Sequence, residues 1–120
     1  MSQYIEKIDV YGCHKLVRAK LPNRTFHILD TEGNKITNDT YDFVGLFKYG
    51  YVAVRTVDCW WNYLNENGEY LNNEHYIIAK SFLGFTYDNY SAYAIVVTEN
   101  NKVNIILIND KGEVQLRIKQ

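Results

Sequence analysis

A chain of 120 residues with 47% hydrophobic side chains is long enough to bury a sizeable core in one domain, with no need of a disulfide or metal staple. With 11 Tyr, 5 Phe, 2 Trp and one Pro, its bias is toward strands, because aromatic and β-branched side chains suit a pleated, half-buried surface. The formal charge of −1 argues against a uniformly basic nucleic-acid binder.

That neutral total hides a segregation along the chain. Residues 1–24 carry Lys7, Lys15, Arg18, Lys20 and Arg24 against Glu6 and Asp9. The last ten carry Lys111, Arg117 and Lys119 against Glu113, so the middle is acidic. Nucleic-acid binding would have to use the ends. The start, MSQYIEKIDV, has no apolar leader region and no segment approaches membrane-spanning length, so a soluble, cytoplasmic protein is expected. Cys13 and Cys59 are then expected as reduced thiols.

Taken in order, Ser2 to Val10 is readable as a short helix capped by Ser2, with Tyr4, Ile5 and Ile8 on one face, or equally as a strand. His14 to Lys20 is expected to pair with Thr25 to Asp30 across a loop holding Pro22. Ile36 to Tyr49 reads as an extended connector laying Tyr41, Phe43 and Phe47 over the core. Gly50 to Thr56 should pair with Cys59 to Asn65 across Val57-Asp58, with Val52, Val54 and Thr56 on one face and Tyr51, Ala53 and Arg55 on the other. A second connector, Leu71 to Tyr90, offers Tyr76, Phe82 and Phe85. Ala92 to Thr98 should pair with Lys102 to Asn109, and the doubly apolar run 103–109 should be the most buried strand. The strand near Lys15 and the strand from Val114 to Lys119 are the expected sheet edges, guarded by their cations.

Three stretches share one pattern: FHILDTEG (26–33), WNYLNENG (61–68) and IILINDKG (105–112). In each, Leu29, Leu64 or Ile108 precedes an Asp30, Asn65 or Asn109, and Gly33, Gly68 or Gly112 follows three residues later. A type I turn closed by a positive-φ Gly fits this spacing, and the Asp or Asn side chain can cap the turn's amides. The expected architecture is therefore all-β: one domain, 1–120, of three tandem antiparallel hairpin units at about 12–47, 48–90 and 91–120, forming a twisted meander or a small open sandwich.

Trp61-Asn62-Tyr63-Leu64-Asn65-Glu66-Asn67-Gly68-Glu69 resembles the signature of WG-repeat proteins, in which a Trp-Gly pair opens a strand ending in an Asp-x-x-Gly turn. Tyr41-Asp42-Phe43, Phe47 and Tyr49-Gly50-Tyr51-Val52-Ala53-Val54 resemble the rest of that repeat. Phe26 and Ile105 stand where the Trp would be, and His27, Asn62 and Ile106 where its Gly would be. The resemblance implies Phe26, Trp61 and Ile105 as equivalent core positions. It also implies hairpin units without catalytic residues, of the kind generally assigned to protein interaction.

No catalytic or cofactor constellation stands out. Cys13-His14, His27, Cys59 and His75 supply nucleophile and base types without a local signature, there is no paired-His or CxxC metal spacing, and the glycines are scattered singly. Neither an enzyme, a cofactor, a metal nor a small-molecule substrate is expected. Adjacent strand residues face opposite sides, so of Trp60 and Trp61 one should be core and the other on a surface or under a connector; repeat position makes Trp61 the core residue, and Trp60 is then either an exposed anchor or packed within the chain like Trp61.

The leading expectation is a non-catalytic protein-binding module. Asp58, Trp60, Glu66, Glu69, Tyr70 and Glu74 would present an acidic, aromatic surface to a basic protein partner. Richness in Asn, Ile, Lys and Tyr is what an AT-rich genome encodes, which points to a phage or mobile-element inhibitor of a host nucleic-acid-handling protein, in the manner of anti-CRISPR proteins. The alternatives are an RNA or single-stranded DNA binder using Lys15, Arg18, Lys20, Arg24, Arg117 and Lys119 with exposed tyrosines, and a structural protein assembling through its edges.

Overall fold

The three Asp/Asn-to-Gly turns close through the same hydrogen bonds. In the first, the Gly33 amide donates to the Asp30 carbonyl (3.1 Å) and the Asp30 amide to the Asn34 carbonyl (2.8 Å). Asp30 Oδ1 accepts from the Glu32 and Asn34 amides, both at 2.9 Å. Asn65 repeats this with the amides of Asn67 and Glu69, and Asn109 with those of Lys111 and Glu113. Gly33, Gly68 and Gly112 have φ of 91°, 78° and 81°, the left-handed conformation a side chain resists. Local chemistry alone dictates these turns, since each is closed by residues within five positions.

The computed structural model describes residues 3–87 and 89–118; Ser2 and Lys119 lie outside the described residues. It is all-β, with antiparallel strands β1 (Glu6–Val10), β2 (Cys13–Lys20), β3 (Phe26–Leu29), β4 (Tyr41–Lys48), β5 (Tyr51–Thr56), β6 (Trp61–Leu64), β7 (Ile78–Ala79), β8 (Leu83–Tyr87), β9 (Tyr90–Val97), β10 (Val103–Asn109) and β11 (Val114–Ile118). The first six form one sheet in chain order. The others form a second sheet in the order β11-β10-β9-β7, with β8 also on β9. Both sheets are open, in a body of 51 × 30 × 18 Å.

The three predicted hairpins are present: β2 with β3, β5 with β6, and β9 with β10. Each turns through a residue other than Gly at positive φ: Arg24 (70°), Cys59 (72°) and Asn101 (63°). The αL region costs an ordinary side chain about 1–2 kcal/mol and Asn less, so Arg24→Gly and Cys59→Gly should each stabilise the fold by about 1 kcal/mol, and Asn101→Gly by less. Urea midpoints of the three variants check that order. No gain at Arg24 or Cys59 would show that the turn tolerates the strain at no cost.

The sheets curl, so that each hairpin packs on the next. Ile28 of the first hairpin meets Val52, Val54 and Leu64 of the second in one buried cluster, joined by Leu16, Tyr41 and Val44. On its other face the second hairpin sets Ala53 and Tyr63 against Ala94, Val96 and Ile106 of the third, with Tyr76 and Phe82. A buried tyrosine stands at each of these transitions. Tyr41 pairs with Phe26, and Tyr76 bridges Trp61 through two backbone hydrogen bonds. Their hydroxyls are held alike, Tyr41 by Thr37 Oγ1 and Tyr76 by Asn72 Nδ2, each at 2.8 Å.

Several expectations need correcting. Glu6–Val10 is a strand, because pairing with β2 satisfies its backbone where a lone short helix has no packing partner. The edge of the first sheet is therefore β1, and β2 with Lys15 lies inside. The first connector holds a full strand, β4, on which Tyr41 is buried but Phe43 stays 47% exposed. Burial on both faces falls to β5, between the two clusters, whereas β10 has a core on one side and leaves Val103 exposed. Phe26, Trp61 and Ile105 are equivalent in being half-buried and are not core positions; the buried residues are Leu29, Leu64 and Ile108, directly before each turn. The third hairpin is also longer, running from Asn101 to Asn109 against Cys59 to Asn65, so Val103 takes the place beside the hairpin turn that Trp61 has in the second.

Candidate acidic aromatic cleft

Beside the second hairpin, a cleft of about 320 Å³ is lined by Asp39, Trp60, Asn62, Tyr70, Asn72, Asn73, Glu74 and His75. It exists because the segment after the Asn65–Gly68 turn returns over β6, pinned by Leu71 N–H donating to the Tyr63 carbonyl (2.9 Å) and by the Tyr76–Trp61 bridge. The floor is Asn62, only 1% exposed. Its Nδ2 donates to the carbonyls of Glu74 (2.6 Å) and Asn72 (3.2 Å) and to Asn72 Oδ1 (3.0 Å), while its Oδ1 accepts from the Tyr63 amide (2.6 Å). One amide side chain thus fixes residues 72–74 and, through them, His75.

His75 stacks on Trp60, rings 4.2 Å apart and 8° from parallel. Tyr70 approaches the same indole at 5.6 Å and 58°. Both tryptophans are consequently half-buried, Trp60 under His75 and Tyr70, and Trp61 against Phe43 at 5.3 Å. Of the two expected arrangements the fold takes the one in which both rings pack within the chain, because residues 70–76 and β4 supply a ring for each.

A hydrogen-bond chain closes the far wall. The Tyr70 hydroxyl donates to Asp39 Oδ2 (2.5 Å); with its one proton used there it accepts from Tyr41 (2.6 Å), and Tyr41 in turn accepts from Thr37. Burial, with the Asp39 carboxylate beside it, pushes the Tyr70 hydroxyl's pKa far above the usual phenol value. Burial also raises Tyr41.

Of the residues singled out in the sequence, the structure brings Trp60, Tyr70 and Glu74 together here. Asp58 sits exposed in the β5–β6 turn. Glu66 is paired with Lys15 at 3.4 Å, and Glu69 is taken up in closing the Asn65 turn. Asp39, Asn62, Asn72 and Asn73 were not singled out, and His75 was weighed only as a base type and set aside. Only the equivalence of residues 39–41 and 74–76 within the repeat could have signalled them, by placing Asp39 and Glu74 alike before a buried Tyr.

The basic candidates are dispersed. Lys15 is in its ion pair, Arg18 lies over the Phe26 ring at 5.0 Å, and Lys20 and Arg24 are at the β2–β3 turn. Arg117 belongs to β11, the far edge of the second sheet, and its side chain, like Lys119, is outside the described structure. Among the described residues no cluster of three His, Cys, Asp or Glu is placed to hold a metal, and no helix is long and apolar enough to cross a membrane. No protein-family model, no curated protein and no solved structure matches the chain.

Proposed function

We propose that the chain is a non-catalytic protein-binding module that receives a cationic side chain of its partner in the cleft around Trp60. The observation that carries this reading is the pairing of aromatic and anionic groups. A stacked Trp60–His75 pair and Tyr70 stand between Asp39 and Glu74, and no Lys or Arg lines the cleft. The two described ion pairs, Lys15–Glu66 and Arg55–Asp42, use neither carboxylate. A guanidinium or ammonium entering here gains charge pairing and the negative face of an aromatic ring together. A partner surface of that kind is what a nucleic-acid-handling protein offers, in keeping with a small inhibitor of phage or mobile-element type. The shared hydrogen bonding of the three turns supports describing the units as WG-like.

Affinity capture with the intact chain, repeated with Trp60→Ala and Glu74→Lys, tests the reading. A protein held by the wild type should bind each variant at least tenfold more weakly, with unchanged circular dichroism, as expected for loss of a cation–π contact of about 1–2 kcal/mol. A partner retained by both variants, or no specific partner, overturns it.

A further inference from the structure

Hydrogen bonding in the cleft around Trp60 is one-sided. The amide and hydroxyl donors that the fold holds in place are spent inside the protein: Asn62 Nδ2 on the carbonyls of Asn72 and Glu74, Asn72 Nδ2 on the Tyr76 hydroxyl (2.8 Å), and the Tyr70 proton on Asp39 Oδ2. The amide oxygens are spent too, Asn62 Oδ1 on the Tyr63 amide and Asn72 Oδ1 on Asn62 Nδ2 and the Glu74 amide. Among the described residues, nothing donates to Asp39 Oδ1 or to either oxygen of the Glu74 carboxylate. The charged capacity left over is therefore acceptor only, and it suits a ligand rich in donors.

These two carboxylates stand at the two ends of one row of contacting rings. Tyr70, bonded to Asp39, tilts against Trp60 at 5.6 Å, and His75, next in the chain to Glu74, stacks on the same indole at 4.2 Å and 8°. An ammonium group is a compact charge whose three donors are matched by oxygens gathered closely around one point. A guanidinium is a plane with five donors around its edge, so it can lie against a ring while that edge reaches carboxylates set apart from each other. Flat rings with an acidic group at either end match the second cation and not the first.

Resting on the protein-binding reading above, we infer that the cationic side chain the cleft selects is an arginine, its guanidinium laid against the rings of the Trp60 row and donating to Asp39 Oδ1 and to the Glu74 carboxylate. The partner then presents an exposed arginine, and a lysine in its place is a poor substitute. Much of the site is set before binding. The Tyr70 hydroxyl fixes the Asp39 carboxylate, and Asn62 fixes the backbone of Glu74 through its 2.6 Å bond to that carbonyl, so the arginine has little to order on arrival.

NMR titration of the full chain with N-acetyl-arginine methylamide, with its lysine counterpart and with the asymmetrically dimethylated arginine amide tests the inference. The Trp60 indole and His75 ring signals should shift saturably with the arginine amide, in the millimolar range of a single side chain, and the lysine amide should bind about tenfold more weakly. The dimethylated amide keeps the charge and the plane but lacks two donors, and should bind about fivefold more weakly or less. Glu74→Gln and Asp39→Asn, each keeping the side chain's size, should each weaken arginine binding about tenfold with unchanged circular dichroism. If Asp39→Asn disturbs folding, Glu74→Gln, at an exposed position, gives the same readout. Lysine or dimethylarginine amide binding as tightly as arginine overturns the inference and leaves the cationic reading of the cleft standing, as does arginine binding that both substitutions leave unchanged. Saturable binding of none of the three overturns the inference and that reading together.

Discussion

Raising the pH above about 10 should destabilise the protein and end in cooperative unfolding. Tyr41, Tyr63 and Tyr76 are 0%, 0% and 1% exposed, and burial raises the pKa of each hydroxyl above its ordinary value near 10. The sign follows from which state keeps its protons. Below pH about 10 both folded and unfolded chains hold them, and the contribution of these groups is fully present. Above it the unfolded chain releases protons that the folded chain retains, and each tyrosine then costs about 1.4 kcal/mol per pH unit until its folded pKa is reached. All three groups act in the same direction, so stability falls steadily as the pH rises past 10, and a domain held by about 5–15 kcal/mol has little to spare. Far-UV circular dichroism and tyrosinate absorbance recorded on one titration check this. Exposed tyrosines should ionise first, and the buried ones in a single step coinciding with loss of the strand signal. Complete tyrosine ionisation with the strand signal intact would show that these hydroxyls are not sealed by the fold.

The second large effect is expected at Asn62. Replacing it with Asp leaves the volume unchanged but sets a carboxylate against the oxygens that now accept from Nδ2: the carbonyls of Asn72 and Glu74 and Asn72 Oδ1. A buried charge facing three acceptors costs at least about 4 kcal/mol, enough to threaten folding. Asn62→Ala removes the donor, leaves those acceptors unpaired and opens a cavity, at about 3 kcal/mol. Because Asn62 fixes the segment that carries His75, the stack on Trp60 should be lost with it. His75→Ala, at an exposed position, should lose the stack with little loss of stability. Urea unfolding followed by Trp fluorescence distinguishes these outcomes, and equal midpoints for wild type and Asn62→Ala would refute the assignment. Asn104, on the matching face of β10, gives the contrast. It is also buried, yet its Oδ1 has no partner among the described residues, where the chain after the turn runs alongside β10 as β11 and pairs Ile118 with Asn104.

Three of the eight residues that line the cleft were legible in the chain, and the missing ones have a common cause. Trp60, Tyr70 and Glu74 stand out because aromatic and acidic side chains crowd one short stretch. Asp39 comes from the preceding unit, and reaches the cleft only because the curl of the sheet brings residues 37–41 beside Tyr70. Asn62 reads as a polar residue on a strand, and only the returning segment reveals it as buried. Of the acidic residues outside the cleft, Glu69 is engaged by its neighbour Asn65 and Glu66 by the distant Lys15, pairings that charge patterning does not reveal, while Asp58 stays exposed in its turn.

The sequence by itself determined the three capped turns, the three hairpins and the alternation along β5, because each depends on residues a few positions apart and on the period of two that a strand imposes. It also determined that the fold is all-β. Only the tertiary structure decided that Glu6–Val10 pairs as an edge strand, that β5 is buried on both sides, and that the thrice-repeated Phe26, Trp61 and Ile105 are half-buried. Those outcomes depend on how strongly each sheet curls and on which hairpin follows which. That curl places Asp39 against Tyr70, and the end of the hairpin series leaves Ile95 and Val103 exposed on the outer face of β9 and β10.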